Sequence, residues 1–243
     1  MNIALVGYGK MGKAIEKIAV ERGHTIVLKI RKENLEDMTT ENLQRADVVI
    51  EFSGPHSAKE NAIRCLQLGL PVVSGSTGWN QDLPEAQATA TENNTAFLHA
   101  SNFSVGVNLF FEINKQLANL MNQQTDYQVA IEEIHHTEKK DAPSGTAISL
   151  AEQVIAGISR LQQWALAPQH PGTASEKLPI TALRQDAVPG THTVSYSSAV
   201  DDITITHIAH NREGFAKGAV LAAEFIEKKQ GIFTMKDVLG IGA

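Results

Sequence analysis

In the first hundred residues, short apolar runs alternate with segments of helical periodicity. The apolar runs have the length and composition of buried strands: Ile3–Val6, Thr25–Lys29, Val48–Phe52, Val72–Ser74 and Ala96–His99. Helical patterns follow two of these runs, at Met11–Arg22 and Ser57–Leu68. Because repeated strand–helix units place helices on both faces of a parallel sheet, this part of the chain predicts an α/β domain.

The pattern changes in kind after about residue 106. The segments that follow are a helix from Gly106 to Asn122, a strand at Tyr127–His135, a helix that opens near Gly145, an Ala-rich helix at Gly214–Lys228 and a last helix or turn near Thr234. Three further segments alternate apolar and polar residues, which predicts an antiparallel sheet with one covered face: Ile180–Gln185, His192–Ser198 and Asp202–Ala209. Pro, Gly, Thr and Gln are frequent in Trp164–Pro179, which predicts a long surface loop.

Composition narrows the class of protein. A chain of 243 residues with 42% hydrophobic residues is long enough for two domains. The net charge of -6 and the absence of long Lys or Arg runs argue against a nucleic-acid partner. The single cysteine, Cys65, and a start without a secretion signal indicate the cytoplasm. No apolar stretch approaches the roughly 20 residues of a membrane span, so we expect no membrane association.

A glycine-rich loop lies between the first strand and the first helix. Gly7 permits a tight turn, Gly9 lets a pyrophosphate approach the backbone, and Gly12 lets the helix pack closely on the strand. The helix N-terminus then offers free N–H groups to phosphates. An ordinary glycine turn is the alternative, but the strand–loop–helix context favours dinucleotide binding.

The end of the second strand leaves the choice of cofactor open. An NAD site usually has an acidic residue here, and this chain has Arg31 and Lys32 instead. Arg31 is a candidate for the 2′-phosphate of NADP, although exposed cations after a strand also occur in solvated turns. NADH and NADPH therefore remain alternatives.

Small polar residues follow three other strands of the predicted sheet. They are Glu51–Gly54, Ser74–Gly78 and Ala100–Ser104. Each could be an ordinary polar loop. Because ligands of open α/β sheets bind at the carboxyl ends of the strands, three such loops favour a binding site there.

The segment 132–147 concentrates the most chemistry. Pro143 precedes a helix start at Ser144, Gly145 and Thr146, where N–H groups and hydroxyls can close around a carboxylate. Lys139 adds a cation that would suit an anionic small-molecule substrate. A solvated charged loop is the alternative interpretation.

His135 and His136 have three interpretations. As metal ligands they would point to opposite faces of an extended strand, and no Cys or third His has a suitable spacing, so we expect no metal. Either one could be a structural histidine. Proton transfer or substrate binding suits the pair better, since imidazole titrates near neutral pH.

With these motifs the chain resembles the 4-hydroxy-tetrahydrodipicolinate reductase family, once called dihydrodipicolinate reductases. The segment Glu133–Ala147 matches the signature of that family, and the resemblance extends from residue 3 to about 228. Further matching segments are the glycine loop, Gly75–Gly78, Ser101–Asn108, Asn211-Arg212 and Phe215–Ala219.

The resemblance implies a fold and a reaction. It implies a Rossmann-like parallel-sheet cofactor domain of residues 1–104 and 214–243. An α+β substrate-binding and tetramerisation domain with a mixed open sheet would take up residues 105–213. It also implies the reduction of 4-hydroxy-tetrahydrodipicolinate, a dicarboxylate, to tetrahydrodipicolinate by NADH or NADPH, with loss of water, in a homotetramer on the diaminopimelate route to lysine.

The resemblance further implies roles for individual residues. His135 would be a proton donor or acceptor, and Lys139 the second proton donor. The substrate would contact His136, Ser144, Gly145, Thr146 and Arg212. The cofactor would contact Gly7, Tyr8, Gly9, Lys10, Met11, Gly12, Gly75, Ser76, Thr77, Gly78, Ala100, Ser101, Asn102 and Phe103.

Two rival functions share the same first domain. An amino-acid aldehyde dehydrogenase would need a nucleophilic cysteine on a loop facing the cofactor, and Cys65 lies inside a helical pattern instead. A redox-sensing regulator without turnover would have no need for the cluster of His, Lys, Ser and Thr in the segment 132–147.

Overall fold

The computed structural model describes residues 1–167, 176–211 and 213–241. The chain divides into two compact units, one of Met1–Val105 with Glu213–Ala243 and one of Gly106–Arg212. None of the helices in these described ranges has both the length and the apolar character that crossing a membrane requires. The first unit is discontinuous, because the C-terminal segment packs with the N-terminal residues.

The first unit contains a six-stranded parallel sheet in the order β11-β5-β4-β3-β1-β2. Its strands are β1 (Asn2–Val6), β2 (Thr25–Ile30), β3 (Val48–Glu51), β4 (Val72–Ser74), β5 (Ala96–His99) and β11 (Gly231–Phe233). Its helices are α1 (Lys10–Glu21), α2 (Thr40–Leu43), α3 (Ala58–Gln67), α4 (Leu83–Glu92), α7 (Glu213–Ile226) and α8 (Met235–Leu239).

Both faces of this sheet are buried. Successive residues of a strand point to opposite faces, so Ile3 and Leu5 belong to one apolar cluster, which includes residues of α1 and α7. Ala4 and Val6 belong to a second cluster on the other face, with residues of α3 and α4. This two-faced burial explains why the strands are apolar almost throughout.

The second unit contains a five-stranded mixed sheet in the order β10-β9-β6-β8-β7. Its elements are α5 (Val105–Met121, beginning at the unit boundary), β6 (Gln128–His135), α6 (Gly145–Gly157), β7 (Gln163–Leu166), β8 (Lys177–Arg184), β9 (Gly190–Ser197) and β10 (Asp202–Ala209). One apolar cluster joins residues of α5 and α6 to inward-facing strand residues such as Ile131, Val194 and Tyr196. The predicted fold class, a Rossmann-like parallel-sheet domain with a mixed-sheet α+β domain, is confirmed.

The direction of strand β8 corrects one prediction. The alternating segment Ile180–Gln185 was expected in an antiparallel sheet, but β8 runs parallel to β6, with Ile180 opposite Ile131 and Arg184 opposite His135. Only β9 is antiparallel to β6, with His192 opposite Glu133. The prediction was wrong because alternation reports a covered face and carries no information about the direction of the neighbouring strand.

The predicted loop Trp164–Pro179 is also wrong at both ends. Gln163–Leu166 forms β7, and Pro179 lies in β8, where it is opposite Ala165. Residues 168–175 lie outside the described part of the chain. Strand pairing thus extends into both ends of the segment whose composition predicted a loop.

Gly218 provides a test of the packing of α7. A Cβ atom at this position would lie 1.7 Å from the carbonyl oxygen of Phe103, which is a backbone atom without freedom to move aside. We expect Gly218→Ala to lower the free energy of unfolding by about 3 kcal/mol, measured by chemical denaturation.

A matched control lies on the same helix. At Gly214 the added Cβ would meet Ser104 Oγ at 3.6 Å, an ordinary contact. Gly214→Ala should therefore leave stability unchanged or raise it slightly through helix propensity. Equal stabilities for the two variants would contradict the close approach.

Candidate active site

The three glycines of the loop in the first unit have different surroundings. Gly7 has a φ of +95°, and a Cβ there would lie 2.3 Å from the carbonyl of Phe52. At Gly12 a Cβ would lie 2.8 Å from Gly7 O, so these two positions require glycine for steric reasons. Gly9 has open space where its Cβ would be, directly before α1. Because no side chain caps α1 and no acidic residue stands in its first turn, this surface fits a phosphate group.

Charged side chains surround Tyr8 near the end of β2. The Arg31 guanidinium lies 4.6 Å from the centre of the Tyr8 ring, and its side chain forms no ion pair within the described residues. Lys29 Nζ lies 2.6 Å from Glu16 Oε1, and the Tyr8 hydroxyl donates to Glu16 as well. The hydrogen bond from Lys29, followed by that from Tyr8, lowers the pKa of Glu16. An acidic residue is thus present near this corner, although it comes from α1 and not from the end of β2.

A buried carboxylate joins two of the predicted loops. Glu51, the last residue of β3, is fully buried and accepts hydrogen bonds from Ser53 N at 2.7 Å, Ser74 Oγ at 2.6 Å and Ser76 Oγ at 2.8 Å. Ser76 Oγ in turn accepts from Gly54 N at 3.0 Å. These bonds fix the loops after β3 and β4 side by side at the carboxyl edge of the sheet.

The third loop lies at the same edge. Ala100 N donates to Ser74 O at 3.2 Å, and the rings of Phe52 and Phe103 pack with their centres 5.6 Å apart. Gly75 lies directly on Phe52, since a Cβ there would approach its ring to 2.1 Å. The structure thus brings the three loops together. Thr77, Gly78 and Ser101 are exposed at this edge, Asn102 is partly exposed, and Phe103 is buried.

In the second unit, the signature segment runs from the end of β6 to the start of α6. Ser144 is the N-cap of α6, and its hydroxyl accepts from Ala147 N at 3.2 Å. The N–H groups of Gly145 and Thr146, which come next, have no partner within the described residues, and Gly145 is exposed. This helix start therefore has N–H groups available to an anion.

Glu133 is the centre of a buried polar cluster in this unit. One carboxylate oxygen, Oε1, accepts from Ser144 N at 3.0 Å and lies 3.3 Å from both Nη1 and Nη2 of Arg184. The other oxygen, Oε2, lies 3.2 Å from His135 Nδ1 and 3.7 Å from His192 Nε2. His192 Nε2 is in turn 3.0 Å from Ser144 Oγ. One carboxylate thus faces four functional groups.

The charge state of Glu133 follows from this environment. Burial is the largest single influence and raises the pKa of this carboxyl, but interactions with His135, His192 and Ser144 together outweigh it and hold the pKa well below its usual range. Burial lowers the pKa of His192, which favours its neutral form. At neutral pH the cluster therefore contains a carboxylate and a neutral His192.

Lys139 lies beside this cluster on the loop after β6. Its Nζ is 2.8 Å and 2.7 Å from the two carboxylate oxygens of Asp141. The hydrogen bond from Lys139 lowers the pKa of Asp141. His136 lies outside the strand, and its carbonyl accepts from Lys139 N at 3.1 Å. Arg212, a predicted substrate contact, lies outside the described residues.

The same cluster contains three side chains that could act as metal ligands. Strand β9 supplies the third histidine that the spacing did not reveal, and Glu133, His135 and His192 have ligand atoms within 4.8 Å of one another. However, the guanidinium of Arg184 already supplies a positive charge at the same carboxylate. A divalent cation here would face that charge at close range, which disfavours it. The expectation of no metal stays a prediction.

Several residues of these clusters were not identified from sequence. They are Arg184, His192 and Glu16. His192 and Arg184 lie in predicted strands, but their contacts with Glu133 depend on which strands are neighbours and in which register. Glu51 was placed on a ligand-edge loop without its role as the hydrogen-bond acceptor for Ser53, Ser74 and Ser76. A buried acid at the end of an apolar strand was the available signal.

Comparison with known protein families places the whole chain. A model for "Dihydrodipicolinate reductase, N-terminus" matches residues 1–103, and one for "Dihydrodipicolinate reductase, C-terminus" matches residues 106–239. A 4-hydroxy-tetrahydrodipicolinate reductase of Christiangramia forsetii is 49% identical over 239 residues, which cover 98% of each protein. One from Anaeromyxobacter sp. strain Fw109-5 is 40% identical over 206 residues, with 82% of this chain and 75% of that protein covered.

Solved structures agree on the fold. Dipicolinate-bound dihydrodipicolinate reductase from Paenisporosarcina sp. TG-14 has a TM-score of 0.76 at 21% identity and covers 96% of this chain and 97% of its own. A DAP dehydrogenase of C. glutamicum in complex with DAP has a TM-score of 0.53 at 16% identity, with coverages of 97% and 92%. At these identities the likeness concerns the fold alone.

The predicted family, oxidoreductase activity and nicotinamide cofactor are confirmed by these matches. The function is that of a reductase in lysine biosynthesis through diaminopimelate. From the two family models and the relative at 49% identity, the chain belongs to the dihydrodipicolinate reductase family.

Proposed function

We propose that His135 and Lys139 transfer protons in the reduction of 4-hydroxy-tetrahydrodipicolinate to tetrahydrodipicolinate. The overall reaction consumes NAD(P)H and one proton, and it releases NAD(P)⁺ and water. The observation that carries the proposal is the contact of His135 Nδ1 with the buried Glu133 carboxylate at 3.2 Å. This contact leaves Nε2 as the nitrogen that exchanges a proton, as in other carboxylate–histidine pairs.

The substrate carboxylates would bind at the start of α6. Ser144 engages the N–H of Ala147, and its carbonyl accepts from Ile148 N, so the N–H groups of Gly145 and Thr146 are the ones available to a ligand. His136 and Arg212 would add further contacts to a carboxylate. The backbone N–H of Ser144 already donates to Glu133 Oε1, so a contact of Ser144 with the substrate would use its hydroxyl. A helix N-terminus with no acidic residue in its first turn suits such an anion.

The substrate ring needs a proton for its departing hydroxyl and a positive charge beside it during reduction. The bound nicotinamide supplies the hydride. The departing hydroxyl leaves as water once it receives a proton, and the ring needs a nearby positive charge while electron density builds on it. Lys139 provides that charge once its ammonium group leaves the ion pair with Asp141 and contacts the substrate. Asp141 is 63% exposed at its side chain, so separation of this pair costs little, about 1 kcal/mol or less.

The cofactor would bind at the carboxyl edge of the parallel sheet. Its diphosphate would contact the loop of Gly7, Tyr8, Gly9, Lys10, Met11 and Gly12. Its nicotinamide half would contact Gly75–Gly78 and Ala100–Phe103. Arg31, which stacks on Tyr8 without an ion pair in the described residues, would contact the 2′-phosphate of NADPH.

The rival aldehyde dehydrogenase lacks its nucleophile in this chain. Cys65 is fully buried in α3, and burial raises the pKa of its thiol to about 12. A thiol in that state is not available for attack on a carbonyl. The regulator without turnover leaves the proton-transfer cluster unexplained.

We also propose a cytoplasmic homotetramer. A biosynthetic reduction draws on cytoplasmic NADH or NADPH. The edge strand of the second unit's sheet supports assembly, because the apolar side chains of Ile203 and Ile208 on β10 are 39% and 57% exposed. Light scattering should give a mass four times the 26.3 kDa of the chain. A mass of one or two chains at assay concentration would contradict the tetramer.

Removal of Lys139 tests the proton-transfer role. We expect Lys139→Ala to lower kcat by at least about 100-fold, since general acids contribute at about this level or more. NADPH affinity should stay within about twofold, because the proposed cofactor contacts lie elsewhere. The assay follows NADPH absorbance with substrate generated from pyruvate and aspartate semialdehyde.

Lys140→Ala is the control for this experiment, since Lys140 is the exposed neighbour with the same charge. It should retain wild-type turnover. Loss of cofactor binding in Lys139→Ala, or equal losses of turnover in both variants, would contradict the role. Absence of NADH and NADPH oxidation by the wild type would defeat the proposed reaction.

Arg31→Ala tests the phosphate contact. We expect KM for NADPH to rise about tenfold while KM for NADH stays nearly constant, because only NADPH carries the 2′-phosphate. The measurement is a pair of initial-rate series with one enzyme preparation, in which NADH is the internal control. Equal changes for both cofactors would remove the contact and leave Arg31 as part of the Tyr8 surface.

A further inference from the structure

We infer that Glu133 and Arg184 form a positioning pair that fixes the tautomer of His135 and ties the loop of Lys139 to the start of α6. The inference rests on the proposed function in one respect, namely that His135 exchanges a proton at Nε2. Neither residue of the pair is itself assigned a contact with substrate or cofactor. Both act through the groups that they hold.

Arg184 donates to three backbone carbonyls in two segments of the chain. Its Nε lies 3.3 Å from Lys139 O, its Nη2 2.6 Å from Asp141 O and its Nη1 2.7 Å from Leu183 O. Both terminal nitrogens also lie 3.3 Å from Glu133 Oε1. The planar guanidinium therefore holds the two ends of the short segment from Lys139 to Asp141 against the strand that carries His135. A lysine could not replace these contacts, since it lacks the forked donors.

The two oxygens of Glu133 have separate tasks. Oε1 accepts hydrogen bonds from Arg184 and from the N–H of Ser144, so it connects β8 to the start of α6. Oε2 faces the imidazoles and lies closest to His135 Nδ1. Both atoms are buried, and neither has a hydrogen-bond partner of standard geometry within the described residues. Because buried polar atoms are nearly always paired, each is the partner available to the other.

His192 is the second imidazole near Oε2. Its Nε2 lies 3.0 Å from Ser144 Oγ, where either atom can be the donor, because a hydroxyl that accepts from Ala147 N can still accept a second hydrogen. His192 Nε2 lies 3.7 Å from Oε2, farther than His135 Nδ1 at 3.2 Å. The ionised carboxylate accepts only, so His135 Nδ1 must carry the hydrogen. Nε2 of His135 is left to exchange protons.

Gly190 keeps the space beside that exchanging nitrogen open. A Cβ at this position would lie 3.1 Å from His135 Nε2 and 3.4 Å from its Cδ2. The first residue of β9 thus has to be small, because any side chain would press on the imidazole. Gly190 and the Glu133 carboxylate thus lie beside the ring of His135, and Arg184 fixes the carboxylate.

The test is the tautomer of His135, read by ¹⁵N NMR of histidine-labelled full-length protein. In the wild type we expect Nδ1–H, with the resonances assigned by their loss in His135→Asn. In Glu133→Gln, the amide oxygen should take the place of Oε1 beside Arg184, so that the amide N–H₂ faces Nδ1. His135 should then switch to Nε2–H. The wild-type spectrum alone overturns the inference if it shows Nε2–H.

Turnover provides the second readout. Glu133→Gln should lower kcat by at least about 100-fold, in line with the loss seen when a histidine is held in the wrong tautomer. The Kd of NADPH, measured by fluorescence titration, should stay within about twofold. A Glu133→Gln variant with the original tautomer and wild-type kcat would overturn the inference.

Glu132→Gln is the matched control. Glu132 is the exposed neighbour on the same strand, so the change of charge is identical while the buried cluster is untouched. It should keep both the tautomer and kcat, and loss of either would overturn the assignment to Glu133. A wild type with Nδ1–H that fails to oxidise NADPH or NADH would refute the proposed reaction but leave the positioning pair intact.

Discussion

A carboxylate without solvent contact, Glu133, is the constraint on which the second unit depends. An ion of this kind loses several kcal/mol of hydration on burial, and a guanidinium with well-placed hydrogen bonds is needed to offset that loss. Arg184 provides this only if β8 lies parallel to β6, with Arg184 opposite His135. Ser144 N–H provides its share only if α6 begins where it does. Stabilisation of the Glu133 charge therefore requires the observed direction of β8 and the observed start of α6, and the same charge orients the imidazole of His135.

The first unit also contains a buried carboxylate, but different groups stabilise its charge. Glu51 is equally buried, but hydroxyl and backbone N–H groups of Ser53, Ser74 and Ser76 surround it in place of a cation. Both carboxylates lie at or near the carboxyl ends of strands, where loops diverge and backbone donors become free. In each unit a buried acid thus converts separate loops into one surface. The loops of the first unit are those proposed to hold the nicotinamide.

Sequence reasoning succeeded where the information is local. The strand–loop–helix around Gly7–Gly12 and the segment from Glu133 to Thr146 are contiguous, so residue types and spacing indicated their chemistry. It failed for Arg184 and His192, which come from strands 51 and 59 residues beyond Glu133 along the chain. Their positions depend on register and strand direction, and alternation in β8 was compatible with either direction. The same holds for Glu16, whose partner Lys29 is on another element.

The burial of Cys65 has a practical consequence for the study of this enzyme. It is the chain's single cysteine, and it lies on the buried side of α3, in the apolar cluster that α3 forms with the parallel sheet. Reagents such as maleimides meet it only when that part of the first unit opens. The rate of alkylation therefore reports the opening of one unit without a signal from the other. No engineered label is required, because the native thiol is already in the informative place.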